Sequence, residues 1–234
     1  MADDSAVRSD DETRRRLLLL GGVLVVAVVV VLATVLLGGS GDDERASRGE
    51  PSLFAGLPQD GPWLGRAGAP VVVEEFLDLQ CPFCARFATR DLPGIVSDFV
   101  RPGRVRMRMR VLAFLGPDSV PAGQATAAAG LQDRQWDFAE SFYARQRPEN
   151  SGYVTDAFLR EVGASVPGLD VDRALEQRGD PAVERRLRED TAIGQRIPVQ
   201  RTPTFLVSRR GGRPKTVGAE QLRAAIEAAA GDRA

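Results

Sequence analysis

The feature that most constrains this chain is a pair of cysteines separated by two residues. They are the only cysteines in the sequence, and they follow an apolar run at the distance of one strand and one turn: Val71-Val72-Val73-Glu74-Glu75-Phe76-Leu77, then Cys81-Pro82-Phe83-Cys84. Two intervening residues let the sulfurs meet across the first turn of a helix, where a proline at the first helical position loses no hydrogen bond. Cys81 then caps the helix, and the unpaired N–H groups there favour its thiolate. The spacing is typical of a thiol–disulfide redox site.

Two other interpretations of the cysteine pair are weaker. Structural zinc needs four ligands, and the sequence has no histidine and no further cysteine, which nearly excludes a zinc knuckle in a monomer. A purely structural disulfide across so short a loop would stabilise the fold by about 2 kcal/mol at most. The lack of histidine also excludes Ser-His and Cys-His catalysis and haem held by histidine. We therefore expect neither a metal nor a cofactor.

An uncharged stretch near the N-terminus predicts a transmembrane helix at residues 17–37. As a helix it would be roughly 31 Å long, close to the thickness of the hydrocarbon core of a bilayer. Arg14-Arg15-Arg16 precede it and Asp42-Asp43-Glu44 follow it, which predicts a cytoplasmic tail at residues 1–16 and an extracytoplasmic remainder. A cleaved signal peptide is the alternative, but the apolar region is longer than usual and no A-x-A site follows. We expect a single-pass protein whose cysteines face an oxidising compartment.

Residues 38–68 are rich in glycine, serine, proline and charge, and they predict a flexible linker. The remainder, 69–234, is long enough for one domain with a real core. The net charge of the whole chain is -1, which gives no reason to expect a nucleic-acid partner.

Within this domain the patterns predict strand, helix, strand, a helical block, two strands and a last helix. The first helix runs from Pro82 towards Val100, with Pro93-Gly94 marking a kink or break. Arginine alternates with apolar residues from Arg104 to Val111, which predicts a strand with one face in the core. Its arginines could recruit an acidic partner or lipid head groups, but we interpret them as the solvated face of an edge strand.

Three segments together resemble the DsbA family of thioredoxin-fold proteins: Glu75-Phe76-Leu77-Asp78-Leu79-Gln80-Cys81-Pro82-Phe83-Cys84, a helical insertion at about 117–196, and Arg201-Thr202-Pro203-Thr204-Phe205. The similarity runs from about Pro70 to the C-terminus and is greatest to the membrane-anchored thiol–disulfide oxidoreductases of Gram-positive bacteria. It implies an α/β thioredoxin fold, a central mixed sheet flanked by helices, here preceded by one transmembrane helix.

The resemblance also implies roles for individual residues. Pro203 matches the cis-proline of the family, and Thr202 before it would offer its backbone to an extended substrate and its hydroxyl to a thiolate. Glu75 matches a buried acid that passes protons to and from the second cysteine. Glu74 and Asp78 compete for that role, but Glu74 and Glu75 cannot both point inward because a strand alternates its faces.

The implied activity is disulfide formation in exported proteins. A thiolate of an unfolded or partly folded substrate attacks the sulfur of Cys81, a second substrate thiolate resolves the mixed disulfide, and Cys84 is the resolving thiol of the enzyme. A quinone-coupled membrane partner of the DsbB or VKOR type would reoxidise the pair. Many oxidising members have histidine at the position of Phe83, so we expect weaker oxidising power, and we place Phe83 and Pro82 at the surface that binds substrate.

Two alternative functions stay open from the sequence. One is a reductase or isomerase of the cell envelope, although no separate dimerisation domain is visible. The other is a non-catalytic thioredoxin-fold binding module that organises another envelope protein. The direction of electron flow depends on a reduction potential that the sequence does not give.

Overall fold

The computed structural model describes residues 52–197 and 199–231. The predicted cytoplasmic tail, the predicted transmembrane helix at 17–37 and the first part of the predicted linker lie outside these residues. Among the helices of the described segments, none combines the length and the apolar character needed to cross a bilayer.

Six strands form one mixed sheet. They are β1 (Gln59–Asp60), β2 (Trp63–Leu64), β3 (Val71–Leu77), β4 (Val105–Val111), β5 (Thr204–Arg209) and β6 (Lys215–Gly218), in the spatial order β1-β2-β4-β3-β5-β6. Strand β3 lies near the centre, parallel to β4 and antiparallel to β5. The C-terminal end of β3 at Leu77 therefore places the cysteine pair near the middle of the sheet, at the end where β3 and β4 terminate.

The helix that carries the cysteines is a continuous run of α- and π-helical segments, which we call α1. The segments are Pro82–Arg86, Phe87–Asp91, Leu92–Ile95 and Val96–Val100. The predicted extent of this helix, from Pro82 towards Val100, is confirmed. The π-helical turn ends just before Pro93, and such widened turns accommodate a backbone that lacks one donor.

Five further helices lie between β4 and β5. They are α2 (Ser119–Ala129), α3 (Gln135–Ala144), α4 (Asp156–Ala164), α5 (Val171–Glu176) and α6 (Pro181–Arg196), with short 3₁₀ turns at Gly130–Gln132 and Gln177–Gly179. Helix α6 begins at Pro181, because the Asp180 side chain accepts a hydrogen bond from the Ala182 N–H and Pro181 occupies the first turn. A last helix, α7 (Ala219–Gly231), follows β6.

The two faces of the sheet pack against different helices. Alternate residues of β3, β4 and β5 enter the main core with α1, α3 and α7, where Phe87 of α1 packs on Phe205 at a ring distance of 4.8 Å. On the opposite face, α6 covers a smaller apolar cluster of Phe76, Leu112 and Leu206. The two faces of the sheet therefore differ in their surroundings, and the neighbouring residues Glu74 and Glu75 of β3 lie on opposite faces.

The last part of the predicted linker is folded onto this domain. Residues 59–64 form the two outer strands, and the ring of Phe54 is 2% exposed and packs edge-on against Trp136. The predicted flexible linker therefore does not extend over residues 52–68. Few apolar residues, widely spaced among glycine and proline, were enough to attach this segment, and no periodicity revealed them.

The prediction that β4 is an edge strand is also wrong. Because β2 pairs with its outer side, β4 lies inside the sheet. Its arginine face is covered by Trp63 and α6 instead of being open to water, as Arg106 over the Trp63 ring shows.

Candidate functional site

The two cysteines lie at the start of α1. Cys81 has an extended backbone and occupies the N-cap position, Pro82 follows at the first helical position, and the Ala85 N–H donates to the Cys81 carbonyl. Cys81 is 4% exposed and Cys84 is fully buried, and both are free thiols in this structure. The local sequence therefore folds as the spacing predicts, with one sulfur close to the surface and the other behind it.

The loop before β5 lies against the first sulfur. In its thiol form, Cys81 donates a hydrogen bond of 3.3 Å from Sγ to the carbonyl oxygen of Thr202, a residue 121 positions away in sequence. The peptide bond between Thr202 and Pro203 is cis. The structure thus brings together Cys81, Thr202 and Pro203, which the sequence analysis placed in one site.

The two thiols differ in acidity. Hydrogen bonding from the Cys84 thiol, helped by the Thr202 side chain and by backbone N–H groups of the helix start, lowers the pKa of Cys81 to about 6 against the opposing effect of burial. Burial raises the pKa of Cys84 well above 9, and its hydrogen bond to Cys81 raises it further. At neutral pH the outer sulfur is therefore largely thiolate and the inner one is a thiol. The main cause is the second thiol, and the helix start on which the sequence analysis relied contributes less.

Glu75 lies beneath this pair in the main core. Its residue is 2% exposed, and burial raises the pKa of its carboxyl group to about 8. A cavity of about 10 Å³, roughly the room for one water molecule, is lined by this side chain together with Tyr143 and Glu140. The carboxyl group is therefore protonated at neutral pH and can exchange a proton close to Cys84, whose pKa its charge also raises.

Glu74 points to the other face of the sheet and is not part of this site. Its carboxylate accepts a hydrogen bond from the Arg110 side chain. We expected only one of these two glutamates to face the cysteines, and the structure confirms this: Glu75 lies on the face of the sheet that packs against α1.

Phe83 and Pro82 form an exposed apolar surface beside the buried sulfurs. The Phe83 side chain is 59% exposed, and the guanidinium carbon of Arg86 lies 5.4 Å from the centre of its ring. Among the described residues, Arg86 is the only cationic side chain that stacks on the Phe83 ring. The surface can contact apolar segments, but the phenyl ring supplies no hydrogen bond to the Cys81 thiolate.

The sequence analysis missed the residues that hold the loop between β3 and α1. One Asp78 carboxylate oxygen accepts from the Gln80 N–H, and the other accepts from the N–H groups of Phe114 and Leu115 in the loop after β4. Asp78 was considered only as a competitor for the role of Glu75. Its place directly after a buried strand was the signal that could have identified it.

Side chains of the helical insertion also bind this loop. Tyr143 donates to the Asp78 carbonyl, Gln146 donates to the carbonyls of Leu79 and Cys81, and Gln80 donates to the Tyr153 hydroxyl. These contacts join residues 65 to 73 positions apart, so no local pattern predicts them. The insertion therefore supports the reactive end of the sheet directly.

Among the residues that the structure describes, no group of three or more acidic or cysteine side chains is arranged to hold a metal ion. The chemistry available at this site is that of the two sulfurs, one carboxyl group and the surrounding hydrogen bonds.

Comparison with known proteins identifies relatives of this arrangement. A family model described as thioredoxin matches residues 58–228. The disulfide bond formation protein D of Bacillus subtilis is 28% identical over 165 residues, which cover 70% of this chain and 72% of that protein. The crystal structure of oxidised BdbD from Bacillus subtilis is similar with a TM-score of 0.65 at 25% identity, covering 75% of this chain and 97% of that chain.

A second solved structure shows the same fold at lower identity. The crystal structure of Chlamydia trachomatis DsbA is similar with a TM-score of 0.63 at 18% identity, covering 74% of this chain and 93% of that chain. The predicted α/β fold with a mixed sheet and flanking helices is confirmed by these matches.

Proposed function

The chain belongs to the thioredoxin family and, within it, to the DsbA type of protein-disulfide oxidoreductase, and we propose that it introduces disulfides into exported proteins through Cys81 and Cys84. The observation that carries this proposal is the unequal pair of sulfurs: a thiol of lowered pKa against the Thr202 carbonyl, backed by a buried thiol of raised pKa. The lowered pKa makes the outer sulfur the better leaving group, and its position nearer the surface than Cys84 makes it the point of substrate attack.

The first step opens the oxidised pair. A substrate thiolate attacks the Cys81 sulfur, a new sulfur–sulfur bond forms between substrate and Cys81, and the Cys81–Cys84 bond breaks with its electron pair on Cys84. Since the pKa of Cys84 is raised by burial, this thiolate takes a proton, and the neutral Glu75 carboxyl group beneath it is the donor that the core offers.

The second step releases the product. A second thiolate of the same substrate attacks the substrate sulfur of the mixed disulfide, and Cys81 leaves as a thiolate stabilised by its hydrogen bonds. The substrate has lost two electrons and the enzyme pair has gained them. A membrane reoxidase of the DsbB or VKOR type would return the pair to the disulfide.

We also propose that Thr202, Pro203, Phe83 and Pro82 contact the substrate. The Thr202 carbonyl oxygen lies 3.3 Å from the Cys81 sulfur and loses its hydrogen-bond donor when Cys81 is a thiolate, and the exposed Phe83 ring lies two residues away from Cys81 along the chain. An unfolded segment could therefore lie across the cysteine with its backbone on one side and an apolar side chain on the other.

The placement of the domain is part of the proposal. The uncharged stretch at 17–37, with arginines before it and acidic residues after it, supports a single-pass anchor with a cytoplasmic N-terminus and an extracytoplasmic catalytic domain. Such a compartment lacks the reductants of the cytoplasm, so a pair poised for oxidation would stay oxidised there.

Trapping of mixed disulfides tests the proposed activity. With Cys84→Ala, the enzyme cannot resolve its own mixed disulfides, so Cys81 should hold exported proteins in complexes that reducing agent releases. The matched variant Cys81→Ala should trap none. Equal complexes in both variants, or none in either, would show that the pair has no enzymatic role.

The reduction potential separates an oxidase from a reductase. Equilibration of the full chain with glutathione should give a value between those of the strongest oxidants and the reductants, which lie near about -120 mV and about -270 mV. A value at the reducing end would favour the alternative of a reductase or isomerase.

A further inference from the structure

The face of the sheet opposite to Glu75 carries a group of arginines that the redox chemistry does not use. We call Arg106 and Arg108 of β4, Arg110 of the same strand and Arg186 of α6 the arginine cluster. Arg110 is buried between the carboxylates of Glu74 and Asp190 and is fully paired. The other three arginines are arranged differently, and the difference indicates a ligand.

Two cations of the cluster have no acidic partner. Within the described residues, the side chains of Arg108 and Arg186 make neither an ion pair nor a hydrogen bond, and Arg106 reaches only Asp60, whose side chain is 81% exposed. Burial, followed by the neighbouring charges of Arg110 and Arg186, lowers the pKa of Arg108, while the charges of Asp190 and Glu74, which bind Arg110, oppose this effect. The protein thus holds like charges close together on this face.

Donor atoms of these side chains are buried without an acceptor. They are the Nε atoms of Arg106 and Arg108 and one terminal nitrogen of Arg186. Removing a guanidinium donor from water without supplying an acceptor is unfavourable, so natural structures usually pair such groups. An anion with several acceptor oxygens would satisfy these donors and the excess charge together.

The guanidinium groups of the cluster pack against Trp63 of β2 and against the turn that precedes this strand. The guanidinium carbons of Arg106 and Arg108 lie 4.3 and 5.2 Å from the centre of the Trp63 ring. At Gly61, where φ is +55°, an added Cβ would lie 2.9 Å from the Arg186 Nη1. A stacked guanidinium loses little freedom on binding, and a glycine leaves it room, so the arrangement is already organised for a ligand.

Phosphate is the anion whose chemistry fits best. A guanidinium fork matches two oxygens of a phosphate, and a tetrahedral group can accept such forks from different directions, here from a strand and from a helix. The two carboxylates on this face, those of Glu74 and Asp190, both form ion pairs with Arg110 and so leave Arg108 and Arg186 without an ion pair in the part of the chain that the structure describes. We propose that a phosphate group, either free or carried by a lipid, binds at the arginine cluster through Arg108 and Arg186 beside Trp63.

This site is independent of the proposed redox function. It lies on the face of the sheet covered by α6, whereas Cys84 and Glu75 lie in the main core with α1. Neither Arg108 nor Arg186 contacts a residue that we assign to catalysis, so substitutions there should leave the reactivity of Cys81 unchanged.

Thermal unfolding of the full chain in detergent tests the site with inorganic phosphate as the probe. Chloride at equal ionic strength is the reference, and tryptophan fluorescence reports unfolding. At a phosphate concentration ten times the dissociation constant, the melting temperature should rise by about 4 °C and the rise should saturate. Arg108→Gln and Arg186→Gln should each abolish the rise.

Arg188→Gln is the matched control on the same helix. Arg188 is exposed and pairs with Glu184 at 3.1 Å, so its loss should leave the phosphate effect intact. Broadening of the phosphorus resonance of phosphate by the wild-type protein, and its absence with Arg108→Gln, gives a second measurement that does not depend on how stable each variant is.

Nanodiscs distinguish a lipid from a free phosphate. Hydrogen exchange of the segments around Gly61 and Arg186 should slow in phosphatidylglycerol discs relative to phosphatidylcholine discs if the ligand is an anionic headgroup, and this protection should vanish with Arg186→Gln. Protection by added phosphate alone would identify a soluble phosphate. If neither probe acts beyond chloride, or if both act equally on the two glutamine variants, the proposed site does not exist.

Discussion

Glu74 and Glu75 are neighbours in one strand, yet the two faces of the sheet treat their charges in opposite ways. Glu74 meets Arg110, which also binds Asp190 at 2.8 Å, and the three groups form a paired network. Glu75 enters the main core, where its side chain makes no hydrogen bond or ion pair with any residue that the structure describes, and burial raises its pKa to about 8. One face pairs its carboxyl groups with a buried guanidinium, and the other holds a buried acid that has no such partner among the described residues.

The difference shows how the same residue type acquires two roles. The Glu74 carboxylate is held against the guanidinium of Arg110 and serves the structure. The Glu75 carboxyl group has no cationic partner in the described part of the chain and holds its proton until about pH 8, so at neutral pH it has a proton to give to Cys84, whose pKa burial raises. The residues packed around each carboxyl group therefore determine whether it has a structural role, as at Glu74, or a chemical one, as at Glu75.

The largest expected effect comes from removing the charge of the unpaired acid. Because the folded pKa of Glu75 is about 8 and its ordinary value is 4.5, the folded state binds the extra proton between these values. Its stabilising effect is complete below pH 4.5 and is lost as the pH rises through about 8. In a Cys81→Ser and Cys84→Ser background, Glu75→Gln should therefore be more stable than its parent by about 4 kcal/mol at pH 8, with little difference at pH 4.

Urea unfolding followed by tryptophan fluorescence measures this difference. A pH-independent effect of Glu75→Gln would mean that the carboxyl group titrates normally, and the contrast between the two faces would then disappear.

A smaller loss is expected from breaking the paired network. Asp190→Ala removes one of the two carboxylates on Arg110, leaving a buried cation with only Glu74, and should destabilise the domain by about 3 kcal/mol. Urea unfolding at pH 7 measures it. Asp60→Asn, at an exposed pair with Arg106, is the control and should change stability by about 0.5 kcal/mol or less.

The reactivity of Cys81 should not respond to Asp190→Ala, since the network lies on the other face. An altered rate of alkylation at Cys81 would show that the two faces are coupled after all.

The smallest expected effect comes from placing a cation at the redox face. Phe83→His puts an imidazole beside the sulfur where the phenyl ring is exposed, and the protonated ring should lower the pKa of Cys81 from about 6 by about one further unit. Such a shift corresponds to about 1.4 kcal/mol. The ultraviolet absorbance of the thiolate, titrated against pH, measures it, and Phe83→Leu should leave the pKa unchanged. A histidine variant identical to the leucine variant would place this side chain too far from the sulfur to act.

The sequence predicted the parts of the site that local rules determine. A strand, a turn and a proline at the first helical position placed Cys81 and Cys84, and the alternation of a strand placed Glu74 and Glu75 on opposite faces. The start of α6 follows an equally local rule, a capping Asp180 before Pro181. In each case the determining contacts lie within a few residues.

The errors occurred where distant segments meet. Residues 59–64 carry almost no strand signal by themselves, and they become strands because β4 offers an unpaired edge. Once β2 covers that edge, the arginines of β4 are no longer a solvated face. The same limit hid Gln146 and Tyr153, which contact the active-site loop from the insertion.

The hydrogen bonds around Asp78 have a consequence for the kind of partner this enzyme can accept. With both oxygens of its carboxylate engaged and its carbonyl bound by Tyr143, the segment before Cys81 has no slack to adapt to an incoming chain. Any change of backbone conformation on binding must then occur in the substrate polypeptide, which loses conformational freedom when it binds. Under the proposed function, an unfolded polypeptide can adapt its backbone to this surface whereas a folded domain cannot, so the site should favour substrates that have not yet folded.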